Sequence, residues 1–207
     1  MTIKNIKAIV FDFGGVMELY GGNSVAQDIS EFLHIQRADF SHEFFKHNHL
    51  CNVGNSSWED VMIKTLSFFD DSQKAKDYLV VLMKESEEKR KINTELVDMF
   101  PKLKQQGFKI AVFSNHQGKT LRKKLDANGI IEVVDEVIIS NEIGFQKPHK
   151  EAFDVLFEKL SVHPEETIFI DDTPKSLEKA NEIGYMPILF KNNEQLKDEL
   201  RNFSVYV

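Results

Sequence analysis

The chain has little of what secreted or membrane-bound proteins need. It contains one cysteine, Cys51, so an internal disulfide is excluded. No apolar run approaches the ~20 residues of a membrane-spanning helix. The first residues, Met-Thr-Ile-Lys-Asn, lack the apolar stretch of a signal peptide. From these absences we expect a cytoplasmic protein that has no membrane partner.

An excess of basic residues is also absent. Lys and Arg number 26 against 33 Asp and Glu, which gives a net charge of -7. This charge argues against a nucleic-acid partner, although a small anion could still enter a locally positive pocket. We find no internal repeat and no low-complexity segment. The 207 residues, 42% of them hydrophobic, suffice for one packed domain with an insertion.

Four short apolar runs each end in polar residues. A short apolar run of this kind is typical of a buried parallel strand, and open α/β sheets bind ligands at the carboxyl ends of such strands. Residues from the four ends can therefore share one crevice. The runs and the polar residues that follow them are Ile6–Phe11 before Asp12-Phe-Gly14-Gly15, Ile110–Phe113 before Ser114-Asn115, Val137–Ile139 before a loop with Lys147-Pro148, and Ile168–Ile170 before Asp171-Asp172.

Between the first and second runs the apolar spacing is helical, and after Thr94 strand and helix patterns alternate. We therefore predict an α/β fold, a doubly wound, Rossmann-like parallel sheet with an all-helical cap inserted after the first strand. The core domain would comprise residues 1–17 and 93–207, and the cap residues 18–92. Ser56 and Glu59 predict a capping box, and Thr173 with Pro174 a helix start. Pro101 predicts a kink in the helix that contains it.

The four polar motifs, in this order, resemble those of the haloacid dehalogenase-like (HAD) hydrolase superfamily, most of which are Mg²⁺-dependent phosphatases. The motifs are Asp12-x-Gly-Gly-Val, Ser114-Asn115, Gly144-Phe-Gln-Lys147-Pro148 and Asp171-Asp172. The later part, with Ser-Asn-His and Phe-Ile-Asp-Asp, is most similar to subfamily IA, which contains bacterial α-D-glucose-1-phosphatase. The similarity covers the core, roughly half the chain.

The resemblance implies a role for each motif. Asp12 would be the nucleophile that forms an aspartyl-phosphate, and Lys147 would stabilise both that carboxylate and the transferred group. Mg²⁺ would be held by Asp12, the Gly14 carbonyl and Asp171. Asp172 would act through a metal-bound water, or simply place a negative charge at the start of the following helix. The expected phosphate-binding residues are Phe13, Gly14, Ser114, Asn115, His116 and Lys147.

One position departs from the superfamily pattern. Most of its phosphatases have a second aspartate two residues after the nucleophile, which protonates the leaving oxygen, and this chain has Gly14 there. General acid catalysis is typically worth ~10²–10⁴-fold, so the absence matters unless another group substitutes. His116, which can titrate near neutral pH, is a candidate acid or substrate contact, and an exposed loop histidine is the plainer interpretation.

We therefore expect a Mg²⁺-dependent phosphomonoesterase acting on a small phosphorylated metabolite, such as a sugar phosphate. The alternative is a non-catalytic phosphate-binding protein, which Gly14 favours. Three other classes are disfavoured. In a response-regulator receiver the acid pair precedes the acceptor aspartate in the chain, whereas here Asp171-Asp172 come last. A mutase needs the acid that is missing at position 14, and a dehalogenase does not need the metal that Asp171-Asp172 implies. Specificity would lie in the cap, and the sequence gives no indication of oligomeric state. The candidate specificity residues are Tyr20, Phe44, His47, His49 and Trp58.

Overall fold

The computed structural model describes residues 5–207, so the first four residues of the predicted core domain lie outside the described part. The chain forms two compact units. The core unit comprises the described residues up to Glu18 together with Ile92–Val207, and the helical unit comprises Leu19–Lys91. No helix in the described part is long and apolar enough to cross a membrane.

The core unit contains most of the strands, and the helical unit contains the first five helices. The strands are β1 Ala8–Phe11, β2 Glu18–Leu19, β3 Lys91–Ile92, β4 Lys109–Ser114, β5 Glu136–Ile139, β6 Thr167–Asp171 and β7 Met186–Leu189. The helices are α1 Val25–Leu33, α2 Arg37–His47, α3 His49–Asn52, α4 Trp58–Phe69, α5 Gln73–Lys89, α6 Thr94–Val97, α7 Phe100–Gln105, α8 Gly118–Ala127, α9 Ser140–Ile143, α10 Lys150–Leu160, α11 Pro174–Leu177, α12 Ala180–Ile183 and α13 Asn193–Arg201. A single 3₁₀ turn, Pro164–Glu166, precedes β6.

The predicted doubly wound parallel sheet is confirmed. Five strands pair in the order β5-β4-β1-β6-β7, and all four pairings are parallel. The chain passes from the central β1 to β4 and β5 on one side, then returns to β6 and β7 on the other. The carboxyl end of β1 is therefore the topological switch point, where sheets of this kind bind ligands.

Both faces of the sheet are buried, which explains why its strands are continuous apolar runs. Successive side chains of a strand point to opposite faces. Ile9 and Phe11 accordingly belong to one hydrophobic cluster, with residues of α7, α8 and α13. Ala8 and Val10 belong to a second, with residues of α10 and α12. Helices on both faces thus fix β1 at the centre of the core.

The predicted capping box is one residue out of register. The N-cap of α4 is Ser57, not Ser56: the Asp60 backbone N–H donates to the Ser57 hydroxyl at 3.0 Å, and the Asp60 carboxylate accepts the Ser57 backbone N–H at 2.9 Å. The Ser-Ser-Trp-Glu-Asp sequence satisfies the spacing in two registers, Ser56 with Glu59 and Ser57 with Asp60. The structure selects the second, in which Trp58 begins the helix.

Two predicted helices are each divided into two short ones. Pro101 does not kink a continuous helix; it lies in the first turn of α7, where a missing N–H leaves no helical bond unmade. The helix predicted to start at Thr173-Pro174 forms the short α11, and a second short helix, α12, follows it. Thr173 is the N-cap residue of α11 by position. The Thr173 hydroxyl donates to Asp172 Oδ1 at 3.2 Å and makes no cap hydrogen bond to the helix.

Candidate active site

Three strand ends bring polar residues to the switch point. Asp12 follows β1 directly, and its backbone N–H donates to the Ile170 carbonyl at 2.8 Å, which continues the β1–β6 ladder. Asp171 is the last residue of β6, and Ser114 is the last residue of β4. Because neighbouring parallel strands end at the same edge, these three residues lie side by side. All three are buried, with Asp12 8% exposed and Asp171 1% exposed.

Lys147 joins two of these strand ends through its ammonium group. Its Nζ lies 2.9 Å from Asp12 Oδ1, 2.6 Å from Asp171 Oδ2 and 2.9 Å from the Phe113 carbonyl oxygen. An ammonium has three N–H donors, so these three acceptors account for all of them. Lys147 is carried by the loop between α9 and α10, and its peptide bond to Pro148 is cis. The loop thus delivers a buried cation between two buried carboxylates.

Asn115 holds the backbone of this lysine. Its Nδ2 donates to the Lys147 carbonyl at 3.1 Å, and its Oδ1 accepts the Lys147 N–H at 2.8 Å. From sequence we expected the Asn115 amide to donate to a phosphoryl oxygen. In the structure Oδ1 and one amide N–H are committed to Lys147, so Asn115 positions the lysine, and its contact with phosphate stays a prediction for the second amide N–H.

Three carboxylates form a cluster at the same edge. One oxygen each of Asp12, Asp171 and Asp172 can be chosen so that all three lie within 4.8 Å of one another. They face the single ammonium of Lys147, so two negative charges remain uncompensated when all are ionised. Hard oxygen donors at this separation fit a small divalent cation such as Mg²⁺. The residues present therefore fit the metal that the sequence implied.

Gly15 makes the position of Asp172 feasible. Its φ is 78°, in the left-handed region that favours glycine, and a Cβ built on it would lie 2.1 Å from Asp172 Oδ2. The carboxylate therefore packs where a side chain at position 15 would be. Gly14 is not among the positive-φ glycines of the described residues. A side chain there meets no such backbone strain.

Burial and mutual repulsion shift the pKa values of the cluster. Burial, helped by the charge of Asp171, raises the pKa of Asp12 to about 7 despite the opposing effect of Lys147. Burial also raises the pKa of Asp172, again with a contribution from Asp171. For Lys147, burial lowers the pKa, but Asp12 and Asp171 together outweigh it and the net pKa is raised. The lysine therefore stays charged, whereas burial makes the Asp12 carboxylate harder to ionise than an exposed aspartate.

His116 is held from two sides. Its backbone N–H donates to the hydroxyl of buried Ser140 at 3.1 Å, and its Nδ1 lies 3.0 Å from the Gln117 carbonyl oxygen. Its ring meets the ring of Phe13 edge-on, with centroids 6.4 Å apart. Sequence reasoning missed Ser140, although it follows the apolar run of β5 in the way that Ser114 follows the apolar run Ile110–Phe113. A serine directly after an apolar run was therefore the sequence signal that could have identified Ser140.

The candidate specificity residues lie in the helical unit. Tyr20 is 49% exposed and stacks on Arg90, whose guanidinium carbon is 5.3 Å from the ring centroid. His47 Nε2 lies 3.1 Å from Glu43 Oε1, and Glu43 is a buried acid that sequence reasoning missed. The ring of Phe44 packs edge-on against the ring of Phe45, the next residue in the chain. Trp58 and His49 begin α4 and α3.

Comparison with known proteins places this geometry in a family. A family model described as haloacid dehalogenase-like hydrolase matches residues 9–189. A glyceraldehyde 3-phosphate phosphatase from Methanopyrus kandleri is 28% identical over 109 residues, which are 52% of this chain and 47% of that protein. The pyrophosphatase PpaX from Bacillus mycoides is 25% identical over 81% of this chain and 75% of its own length. The first of these alignments thus spans about half of the relative.

The solved structures show the same fold. A predicted HAD-like family hydrolase from Porphyromonas gingivalis superposes with a TM-score of 0.65 at 20% identity, over 97% of this chain and 98% of that one. The family model begins within β1, which Asp12 follows, and ends at the last residue of β7, so it includes every strand end described above. The chain therefore belongs to the haloacid dehalogenase-like hydrolases.

Proposed function

We propose that the protein is a Mg²⁺-dependent phosphomonoesterase that acts on a small phosphorylated metabolite through an aspartyl-phosphate on Asp12. The observation that carries this proposal is the buried Asp12–Lys147–Asp171 arrangement at the switch point of the sheet. It joins a carboxylate that can attack with a cation that can stabilise the transferred group. The relatives named as phosphatases support the same reaction class.

The charge of the site explains why a metal is needed. A phosphate ester is an anion, and three carboxylates would repel it. Mg²⁺ held by Asp12, Asp171 and the Gly14 carbonyl, with Asp172 binding directly or through water, would neutralise this repulsion and polarise the phosphoryl group.

The chain's own residues then have separate tasks. Asp12 attacks the phosphorus atom, and Lys147 compensates the charge that accumulates between nucleophile and phosphoryl oxygens. Ser114, at the end of β4, offers a hydroxyl to one of these oxygens, while the backbone N–H groups of Phe13 and Gly14 offer further donors. Asn115 maintains the position of Lys147. The helical unit is proposed to act as the cap that excludes water and selects the leaving group.

The alternative is a protein that binds a phosphate ligand without turnover, which the glycine at position 14 suggested and which the relatives named as phosphatases do not favour. The two functions differ in one measurable respect, the release of inorganic phosphate. A panel of aryl, sugar and alkyl phosphates should be incubated with the protein in Mg²⁺ and in excess EDTA. We expect turnover of at least one ester in Mg²⁺ only.

The assignment of Asp12 is tested by Asp12→Asn, which removes the attacking carboxylate but nearly preserves its shape. We expect phosphate release to fall to the level of the buffer blank. The matched control is Asp154→Asn, because Asp154 pairs with Lys150 on the exposed surface of α10 and should not affect turnover. Wild-type turnover by Asp12→Asn would refute the assignment. No turnover of any ester by the wild-type protein would favour the binding protein.

A further inference from the structure

None of the residues given a task in the proposed function protonates the leaving oxygen. Gly14 occupies the position where most related phosphatases have an aspartate, and Lys147 has all three donors committed to Asp12, Asp171 and Phe113. Asp171 accepts hydrogen bonds from Lys147 and from the Thr173 backbone, which is the environment of an ionised carboxylate. A departing alkoxide therefore needs a proton from elsewhere.

The core unit has three histidines, and their positions differ. His163 caps the 3₁₀ turn before β6, at the opposite end of the sheet. His149 lies two residues after Lys147 and is exposed at the start of α10. His116 follows Ser114 and Asn115 directly and is half-buried, with its ring against Phe13, the residue next to Asp12. Of the three, His116 is the one packed against the loop that carries the nucleophile.

The hydrogen bonds of His116 suit a proton donor. An Nδ1–H that donates to the Gln117 carbonyl at 3.0 Å fixes the ring and its tautomer, so the second proton of the imidazolium is on Nε2. The backbone is fixed by the Ser140 hydroxyl, and Ser140 is fully buried. The Phe13 ring restricts the remaining rotation. The imidazole is thus held by the next residue of its own loop and by the Phe13 ring, and its backbone by the first residue of α9, as a positioned acid requires.

We propose that His116 is the general acid and base of the phosphatase reaction, in place of the aspartate missing at position 14. This inference rests on the proposed function. In the first half-reaction a carboxylate oxygen of Asp12 forms a bond to phosphorus, the bond from phosphorus to the leaving oxygen breaks, and His116 gives its Nε2 proton to that oxygen, so an alcohol departs. In the second half-reaction the oxygen of a water molecule forms a bond to the same phosphorus, the bond from phosphorus to the Asp12 carboxylate oxygen breaks, and neutral His116 accepts the proton that the water loses. Asp12 and inorganic phosphate are released.

The test compares two esters whose leaving groups need a proton to different extents. One is an alkyl phosphate, and the other is an aryl phosphate with an electron-withdrawing ring. Both are measured by single-turnover acid quench in Mg²⁺, so that the chemical step is observed. We expect His116→Gln to slow the alkyl ester ~10²–10⁴-fold and the aryl ester less than about 10-fold. His149→Gln is the matched control and should change neither rate.

A second variant returns the acid to its usual place. Gly14→Asp added to His116→Gln should restore the alkyl rate at least about 10-fold, because the backbone at position 14 does not require a positive φ. An equal loss on both esters without rescue would overturn the proposal and leave His116 a structural or binding role. Unchanged rates in His116→Gln would overturn it too. If His116→Gln does not fold, the same measurements on His116→Asn test the proposal.

The experiment distinguishes failure of the role proposed for His116 from failure of the proposed phosphatase function. Asp12→Asn is measured on both esters in the same experiment. If wild-type protein turns over both esters, Asp12→Asn turns over neither and His116→Gln retains the alkyl rate, only the role of His116 is refuted. If Asp12→Asn retains turnover, the proposed function is refuted and the inference with it.

Discussion

Replacing Lys147 by methionine removes the charge at the centre of the site while keeping a side chain of similar length. Lys147 Nζ compensates two carboxylates that are 8% and 1% exposed. Removing one partner of a buried ion pair typically costs about 3–5 kcal/mol, because the other charge stays buried without compensation. For a chain of this size that corresponds to a fall in Tm of roughly 6–20 °C.

The cost of Lys147→Met should depend on pH in a defined direction. The pKa of Asp12 is about 7 with the lysine present, and loss of the ammonium raises it further. At pH 6 Asp12 is then mostly protonated and no longer repels Asp171, whereas at pH 8 a larger fraction is ionised. We therefore expect a smaller loss of stability at pH 6 than at pH 8. Because we propose that Mg²⁺ binds to the same cluster, its addition should recover part of the loss.

The assay is thermal and urea unfolding of the metal-free protein in EDTA, followed by circular dichroism at both pH values. Lys150→Met is the matched control. Its ammonium pairs with Asp154 in an exposed ion pair of the kind worth about 0–1 kcal/mol. A loss below about 1 kcal/mol for Lys147→Met at pH 8, or a loss that is the same at both pH values, would refute the reasoning.

Three further predictions concern the carboxylate cluster. In calorimetric titration Mg²⁺ should bind wild-type protein and raise its Tm, with a gain of about 2.7 kcal/mol at a concentration of 100 Kd, whereas Asp171→Asn should show neither effect. Gly15→Ala should lower stability by at least ~1–2 kcal/mol through backbone strain alone and should weaken Mg²⁺ binding, because its Cβ displaces the Asp172 carboxylate; binding at wild-type strength would contradict the packing described. The folded state binds the Asp12 proton more tightly than the unfolded chain, so the stability that Asp12 contributes is complete below about pH 3.8 and is lost as the pH rises to about 7. Unfolding free energies measured across this range in EDTA should therefore fall more steeply with pH in wild-type protein than in Asp12→Asn, and parallel curves would contradict the shift.

The sheet could be predicted from sequence because its strands are buried on both faces. That burial makes Ile9, Val10 and Phe11 a continuous apolar run, and a polar residue at its end marks the edge of the sheet. Since parallel strands end at one edge, the proximity of Asp12 and Asp171 follows from the strand order alone. The sequence therefore predicts the fold, together with the strand-end positions of these carboxylates.

Other features depend on tertiary contacts that no local pattern contains. Two registers of the capping box fit the sequence equally well, and the structure forms the one that begins with Ser57. The partners of Asn115 belong to a loop more than thirty residues away in the chain. The close approach of Gly15 to Asp172 depends on the pairing of β1 with β6. These contacts form only when separate segments meet, so spacing along the chain does not show them.

The central claim is that Asp12 becomes phosphorylated during turnover. The most direct measurement is acid quench of the protein within the first turnover of a ³²P-labelled ester in Mg²⁺, followed by borohydride reduction of the acyl phosphate and peptide mass spectrometry. We predict that the ³²P is bound to protein before it appears as inorganic phosphate and that the reduced residue is at position 12. Reduction at another residue, or ester turnover in which no labelled protein forms at any quench time, would contradict the account.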